Sequence, residues 1–376
     1  MPLTRVDALM LQIAARDLRL VHAAGADGGV LPMVAALLDE VRRDISVPEP
    51  TPPRSLDPAG VVALLEAAKI TPPGSTVEIE RAALGFSKDT YIMGVASPDG
   101  LSERLVMRRD LPAGCTRTSV VDEFPLLVHL HGEGLPVPEP LLLESNPAIL
   151  DGRFIIMRAA AGRPDVQTWE PDPHKRERLG TELASILARL HRLPLAGAPF
   201  SLPEGGPGIV LGDWLSGWRR QWEEIGRAEW AQVSRAYDYL EANLPDVERL
   251  VIVHADYGLH NIMVDDGRIT AVLDWEFAHA GDPAEDLAYT QGRLEGFVHW
   301  ERFLQDYIAA GGPSVPPERF GFYKIWRGVR NATCCAVGLA AFESGRNTDI
   351  RLAYAGRVLI HRYLGDLRFQ MEGLGL

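Results

Sequence analysis

The sequence predicts an α+β chain of two lobes, a small strand-rich one and a large, mostly helical one, with a helical extension in front. Three observations predict it. At 376 residues the chain exceeds one typical domain, so two lobes plus an extension are expected. Short runs that alternate or stay apolar, Val77 to Leu84, Thr90 to Ala96 and Arg104 to Arg109, crowd into the first half with turn signals between them. From Pro173 onward apolar residues recur mostly at helical spacing, interrupted by a strand-rich island at 250–290.

Composition narrows the function classes. The apolar and charged fractions, 46% and 24%, are those of an ordinary soluble globular protein. A net charge of -13 argues against nucleic acid or an anionic membrane as a partner, while leaving room for a local basic pocket. Of three cysteines, Cys334 and Cys335 are adjacent in a helical pattern, which gives neither a disulfide framework nor metal spacing. The N-terminus interleaves acidic and basic residues, unlike a signal peptide, and no stretch has the length of a membrane span. A reducing cytoplasm is the expected compartment.

Taken in order, residues 1–55 form the predicted extension. Val6, Leu9, Met10, Ile13 and Ala14, then Val30, Met33, Val34, Leu37, Leu38 and Val41, give two amphipathic helices split by the glycine-rich AAGADGG. The proline-rich VPEPTPPRSLDP follows as a linker. Packing on the body, a homodimer contact or shaping of a pocket are the roles open to it.

Residues 56–160 form the small lobe. Asp57-Pro58 opens a helix to about Ala68, with proline at the first helical position. The three strands follow, with turns at Gly85-Phe86-Ser87 and Ser97-Pro98-Asp99-Gly100, and Phe154 to Met157 is the lobe's last strand.

Residues 161–376 form the large lobe. ERLGTELASILARLHR is an amphipathic helix with Leu179, Leu183, Ile186, Leu187 and Leu190 on one stripe. His191 is expected as a helix-end residue, not a ligand. Trp214, Trp218 and Trp222 recur every fourth residue and predict a buried helix face, with an aromatic ligand wall as the second reading. Further helices are expected at Val233 to Asn243, Phe297 to Ala310, Glu318 to Ser344 and Ile350 to Gln370.

The island carries the chemistry. The apolar run Val251 to Val253 predicts a short buried strand, followed by a polar loop with His254, Asp256, His260 and Asn261. Ile262-Met263, the turn Asp265-Asp266-Gly267 and the strand Ile269 to Leu273 make a hairpin that brings Asp274-Trp275-Glu276 beside Asp256 and Asn261. A carboxylate, an amide five residues on and a second carboxylate at a strand end supply a proton acceptor and hard oxygen ligands of the kind Mg²⁺ takes. Phosphoryl transfer needs such positioning more than covalent help. Protein kinases show the same order as H-R-D-x-x-x-x-N, then D-F-G; here it reads H-A-D-x-x-x-x-N, then D-W-E.

These residues, with GDPAEDLAY after them, resemble the aminoglycoside phosphotransferase and choline kinase group of small-molecule kinases, whose loop reads HGDxxxxN and whose metal-binding strand end reads D-W/F-E/D. The resemblance implies a two-lobed protein-kinase-like fold, Mg²⁺, and ATP (GTP staying open) as phosphate donor to a small-molecule hydroxyl. It implies Asp256 as catalytic base with His254 holding the loop beside it, and Asn261 and Asp274 as metal ligands. ALGFSKDTY resembles the family's turn over the nucleotide phosphates, which implies Gly85, Ser87 and Lys88 as nucleotide-binding, the last two through backbone N–H groups. In LVMRR, Arg108 stands where the family carries lysine and is expected to pair with Glu123. Residues 158–162 are the implied hinge.

LVMRRDLPAG, LPVPEPLLLE and FIIMRAAAGRP narrow the resemblance to the branch that includes the kinase domains fused to acyl-CoA dehydrogenases. That implies a hydroxyacyl-CoA or related metabolite as acceptor, with an aminoglycoside and then a choline-like alcohol as alternatives. Arg293, Glu295, His299, Trp326 and Arg330 are the candidates to line the acceptor site. Glu276 is expected near the metal, Asp286 as a cap or pin of the catalytic loop, and Asp265 and Asp266 as turn residues.

Two departures stand out besides Arg108. Ala255 replaces the glycine of HGD, a tolerated change provided the backbone does not need φ > 0. Gly258 stands where relatives carry a long side chain, so a contact is expected to be missing. A weakly active nucleotide-binding pseudokinase and a Mg²⁺-dependent phosphohydrolase are the rival readings.

Overall fold

The computed structural model describes residues 56–82, 87–347 and 349–375. The two predicted helices and the linker of residues 1–55 lie outside them, as does Gly85.

Helix α1 (Pro58–Ala67) precedes strands β1 (Thr76–Arg81), β2 (Lys88–Ala96) and β3 (Ser102–Asp110), then α2 (Val120–Gly132), β4 (Pro140–Glu144) and β5 (Phe154–Arg158). The five strands form one antiparallel sheet in the order β1-β2-β3-β5-β4. Strand alternation divides this lobe's apolar residues between two cores. Phe154 and Ile156 pack with Leu105, Met107, Tyr91 and Val61 beneath α1, whereas Ile155 and Met157 join the core shared with α2 and the large lobe. Strand β4 is an addition to the expected set, its pattern masked by two prolines. Strand β1 is described to Arg81, and Leu84, the expected end of the run, lies outside the described residues.

The large lobe contains α3 (Pro173–Arg192), α4 (Pro207–Ile225) and α5 (Ala231–Ala242), then β6 (Val251–Val253), β7 (Ile262–Asp265), β8 (Arg268–Val272) and β9 (His279–Gly281). Helices α6 (Pro283–Arg293), α7 (Trp300–Ala309), α8 (Arg319–Glu343), α9 (Ile350–Tyr354) and α10 (Ile360–Glu372) complete it, with a π-turn at Ala355–Leu359 between the last two. Three helices share one start signal: Asp57, Asp172 and Asp282 cap α1, α3 and α6 through their carboxylates, each followed by proline at the first helical position. Such a cap stabilises a helix by about 1 kcal/mol.

Trp218 and Trp222 are buried on one face of α4, and Trp214 stacks on His279 with ring centroids 4.0 Å apart, so the tryptophan repeat is mainly a core face. The expected final helix is present and runs through the π-turn. Gly356 there abuts α8 so closely that a Cβ would lie 2.3 Å from Leu339 Cβ.

Two small sheets position the site. β7 and β8 form the expected hairpin, with Asp266 and Gly267 in left-handed conformation at its turn. β6 pairs instead with the unexpected β9. The segment after β5 is stitched to the hairpin, since Arg163 N donates to Val264 O and Val264 N to Arg163 O, both at 3.0 Å. Gly162, at φ 89°, permits that approach; a Cβ would meet Val264 O at 2.1 Å. Among the described residues no helix is long and apolar enough to cross a membrane.

Candidate active site

The loop after β6 is held from below by one face of α6. Asp286, fully buried, accepts His254 N at 2.8 Å and Ala255 N at 2.7 Å, and also contacts His191 Nε2 at 3.0 Å. Thr290 Oγ1 donates to Tyr257 O at 2.9 Å, and the Tyr289 hydroxyl lies close enough to Asp256 to favour its charge. Asp286, Tyr289, Thr290 and Arg293 share the spacing i, i+3, i+4, i+7, so a single helix face addresses the whole loop. His191 belongs to this support: its ring lies between Asp286 and Tyr307 Oη, 2.7 Å away.

His254 has no ring nitrogen to spare for proton transfer. Its Nδ1 accepts Asp256 N at 3.1 Å, which leaves the proton on Nε2 to donate to Leu273 O at 2.9 Å. Burial holds its pKa below the ordinary histidine value, so the ring stays neutral and ties the loop to the end of β8. Ala255 does adopt φ 64°, against the proviso drawn from sequence. Arg330, only 2% exposed, donates to Ala255 O at 2.7 Å and secures that reversed peptide.

Asp256 and Asn261 are joined through the amide. Asn261 Nδ2 donates to Asp256 Oδ2 at 2.8 Å and to Asp256 O at 3.1 Å, which commits the nitrogen and leaves the amide oxygen as the free polar atom. His260 Nε2 lies 3.2 Å from Asp256 Oδ2. Burial works against the Asp256 charge, but His260, Arg330 and the Tyr289 hydroxyl outweigh it and hold the carboxyl well below the usual range. Its side chain keeps 17% exposure, enough for a ligand to reach it.

Leu273 N donates to Asn261 O at 2.8 Å, and Asp274 follows directly, at φ 64° with a side chain 37% exposed. From the small lobe, Arg108 spans two carboxylates, donating to Glu123 Oε1 at 2.5 Å and to Asp274 Oδ1 at 2.7 Å. Burial opposes the Arg108 charge, but Glu123, Asp274 and Glu276 override it and keep the guanidinium protonated.

Glu276 has a cation partner from the small lobe. It lies buried against Lys88 Nζ at 3.4 Å, Thr118 Oγ1 at 3.2 Å and Thr116 Oγ1 at 3.3 Å. The Lys88 ammonium, which also donates to Thr118 O at 2.8 Å, is therefore a side-chain participant and not only a backbone one. Ser87 lies at the same corner and hydrogen-bonds Glu276.

The structure thus assembles Asp256, His254, Asn261, Asp274, Arg108 and Glu123 in one cleft, with Ser87 and Lys88 at its edge. Gly258 sits in a crowded place. A Cβ there would meet His260 Cε1 at 2.9 Å and Arg293 Cγ at 3.1 Å, so its space is already filled. Of the acceptor candidates, Glu295 and His299 are exposed beyond α6, and Trp326 is buried with Nε1 on Glu285 at 2.8 Å. Sequence reasoning missed Tyr289 and the Lys88 ammonium. The helical spacing from Asp286 was the available signal for the first; nothing local marked the second.

A profile of the phosphotransferase enzyme family matches residues 78–323, well over half of the chain. The chain belongs to this family. A phosphotransferase acting on a small molecule is the class of activity that membership supports.

Among curated relatives, the chicken acyl-CoA dehydrogenase family member 11 is 32% identical over 44% of this chain but only 22% of its own length. The Arabidopsis thaliana probable acyl-CoA dehydrogenase IBR3 is 25% identical over 74% of this chain and 39% of its own. The Streptomyces fradiae aminoglycoside 3'-phosphotransferase is 27% identical over 54% of this chain and 76% of its own length. The chain therefore spans well under half of the dehydrogenase relatives.

Among solved structures, a Ralstonia eutropha protein described provisionally as an aminoglycoside phosphotransferase superposes with a TM-score of 0.62 at 20% identity, covering 85% of this chain and 99% of that one. A thermostable mutant of the aminoglycoside phosphotransferase APH(4)-Ia, in ternary complex with AMP-PNP and hygromycin B, gives 0.52 at 20% identity, covering 79% and 98%. These likenesses place the fold in the two-lobed kinase-like class.

Proposed function

We infer that the chain transfers the γ-phosphate of ATP, with GTP as the alternative donor, to a hydroxyl of a small molecule. The observation that carries this reading is the shared cleft of an ionised Asp256, an Asn261 whose amide oxygen is free, and a half-exposed Asp274. Two hard oxygens beside a cation aimed at phosphates fit Mg²⁺, which takes one or two protein oxygens and completes its shell with phosphates and water. Asn261 and Asp274 would hold it, and when bound it would neutralise charge on the β- and γ-phosphates.

The rest falls to side chains of this chain. Asp256 accepts a hydrogen bond from the acceptor hydroxyl and takes its proton as the new O–P bond forms and the bond from γ-phosphorus to the bridging oxygen breaks. Its depressed pKa makes it a weak base, which suits a loose transition state where orientation of the alcohol matters more than early deprotonation. His254 and Arg330 are positioning residues for this carboxylate. Arg108 carries positive charge to the phosphates in place of the family's lysine.

A hydroxyacyl-CoA or related hydroxylated metabolite is the leading acceptor. What supports it is the similarity to proteins named for acyl-CoA dehydrogenases, over a part of their length that fits a separate kinase segment. The likeness to the Streptomyces fradiae enzyme supports an aminoglycoside as the second reading.

The test is Mg-ATP consumption against hydroxyacyl-CoAs, aminoglycosides and amino alcohols, with mass detection of a phosphorylated product. Asp256→Asn should abolish transfer and spare nucleotide binding, and Asp274→Ala should abolish Mg-dependent binding. Full activity in both variants would sink the assignment. Rapid ATP turnover needing no alcohol would point to a phosphohydrolase, and binding without turnover to a pseudokinase.

A further inference from the structure

Beside Asp256 the fold gathers arginines that close no ion pair of their own, although the Asp256 charge favours Arg293 and that of Asp366 favours Arg327. Arg293 on α6 and Arg327 on α8 both lie against the Tyr289 ring, their guanidinium carbons 5.1 and 5.5 Å from its centroid. Arg293 Nε donates to Tyr289 Oη at 3.1 Å, and that hydroxyl in turn favours the Asp256 charge. Arg330 is a third cation nearby, three residues along α8 from Arg327.

Other arginines of the same helix find carboxylates: Arg319 reaches Asp282 at 3.4 Å and Arg330 reaches Glu285 at 3.9 Å. Among the described residues neither Arg293 nor Arg327 forms an ion pair. Both are partly open to solvent. Burial lowers the Arg327 pKa from its ordinary value, and the like charges of Arg293 and Arg330 add to that against the opposing effect of Tyr289 and Asp366.

In a chain of net charge -13, this local excess is the reverse of the average. Packing against a tyrosine ring needs no charge; methionine or glutamine would serve without the repulsion. An arginine fork matches a carboxylate or phosphate in two-point contact, and with Nε of Arg293 committed to Tyr289 its terminal nitrogens remain to make one.

We propose that Arg293 and Arg327 form an anion-recognition wall for the acceptor, so that the molecule phosphorylated is a hydroxylated acid bearing a carboxylate or phosphate, and not a polycation or a neutral alcohol. This rests on the reading that Asp256 faces the acceptor hydroxyl. A polycationic acceptor would set its ammonium groups against two unpaired guanidiniums, a like-charge penalty that discriminates against it.

A second basic feature offers the competing location. A cavity of about 560 Å³ is lined in part by Lys88, Arg117, Arg153 and Arg346. It lies at the end of the sheet away from the hinge, where Lys88 pairs with Asp110, whereas Leu105 pairs with Arg158 at the hinge end.

The experiment reads binding without turnover. The full chain, loaded with Mg-AMP-PNP, is titrated with hydroxybutyrate, glycerol phosphate, their neutral counterparts ethyl hydroxybutyrate and glycerol, and kanamycin, following the thermal midpoint. The two anionic probes should bind and the others should not; whichever of them is tighter separates a carboxylate from a phosphate.

Arg293→Gln and Arg327→Gln should each weaken the anion roughly ten- to a hundredfold. Arg327→Lys should restore part of the loss, and Arg153→Gln should leave binding unchanged. Anion binding retained in both glutamine variants, lost in Arg153→Gln instead, or absent from the nucleotide-loaded wild type would overturn the proposal.

The two readings fail separately. Phosphorylation of a neutral or cationic acceptor with unchanged KM in the glutamine variants keeps the kinase and removes the wall. Anion binding that depends on the arginines, without phosphate transfer to any acceptor, keeps the wall and removes the kinase.

Discussion

The two halves of the cleft are held by different physics. On the large-lobe side, the loop from His254 to Asn261 is fixed by short bonds to fully buried groups, with Asp286 accepting two consecutive backbone N–H groups and a neutral His254 tying the loop to β8. On the small-lobe side, Arg108 and Lys88 reach across to Asp274 and Glu276 as ion pairs, one of which ends on a carboxylate 37% exposed. A group satisfied inside the fold has nothing to exchange when a ligand arrives, whereas a guanidinium bound to Asp274 must share that carboxylate with whatever enters. The large-lobe side is thus preformed, and the small-lobe side, which the proposed function gives to the phosphates, is the one that adjusts. Damage to the first should reach folding and activity together; damage to the second should fall on nucleotide handling.

The largest expected effect comes from Asp286→Ala. It strands two buried N–H groups and the His191 ring, and removing one member of a buried charged network typically costs about 3–5 kcal/mol. Urea denaturation should show a loss of that order, with turnover falling at least about a hundredfold because Asp256 loses its backbone support. A drop in activity with unchanged stability would mean that Asp286 acts on the ligand.

The same pair sets a pH signature. Burial opposes the Asp286 charge, but His191 and the loop N–H groups outweigh it, so the folded pKa lies below the unfolded one. Its contribution is present above about pH 3.9 and fades as pH falls further. His254 is lowered by burial, so its contribution is present above about pH 6.5 and is lost on acidification through that range. Thermal midpoints should therefore decline in two stages from pH 7.5 downward, and Asp286→Asn should remove the lower stage. A midpoint flat down to pH 4 would contradict the buried neutral histidine.

A smaller and more selective effect is expected of Arg108→Lys. A single ammonium, without the guanidinium's fork, cannot bridge Glu123 and Asp274 as the arginine does. KM for ATP should rise on the order of tenfold, about 1.4 kcal/mol, while the urea midpoint moves little. An unchanged KM would mean that the arginine only braces the lobes, which would sharpen the contrast by leaving Lys88 as the nucleotide-side cation.

What was legible in the sequence follows the same divide. The loop, the hairpin and Asp274 were readable because their chemistry lies within one stretch whose order and spacing are themselves the signal. The Arg108–Glu123 pair was readable because a strand and the next helix place it. Partners brought from far along the chain were not: Lys88 meets Glu276 across 188 positions, and Arg330 meets Ala255 across 75. Strands β4 and β9 escaped for a local reason, since prolines hide the first and β9 spans only His279–Gly281. The crowding at Gly258 was not legible because Arg293 reaches it from 35 positions away.

The smallest effect tests why alanine stands at position 255 at all. Its φ of 64° costs a residue with a Cβ about 1–2 kcal/mol. Glycine would relieve that strain, yet it would give back about 0.5–1 kcal/mol in unfolded-state entropy. It would also lose a methyl buried among Val251, Val253 and Phe277, worth about 0.8 kcal/mol. The terms nearly cancel, so Ala255→Gly should shift stability by less than about 1 kcal/mol and leave kcat unchanged, because Arg330 and Asp286 hold the peptide from both sides. Ala255→Val keeps the strain and adds bulk to a closed site, and should cost about 3 kcal/mol or more. Equal stability of the valine and glycine variants would show that the loop relaxes around this residue, and the large-lobe half of the cleft would then be less rigid than its hydrogen bonds imply.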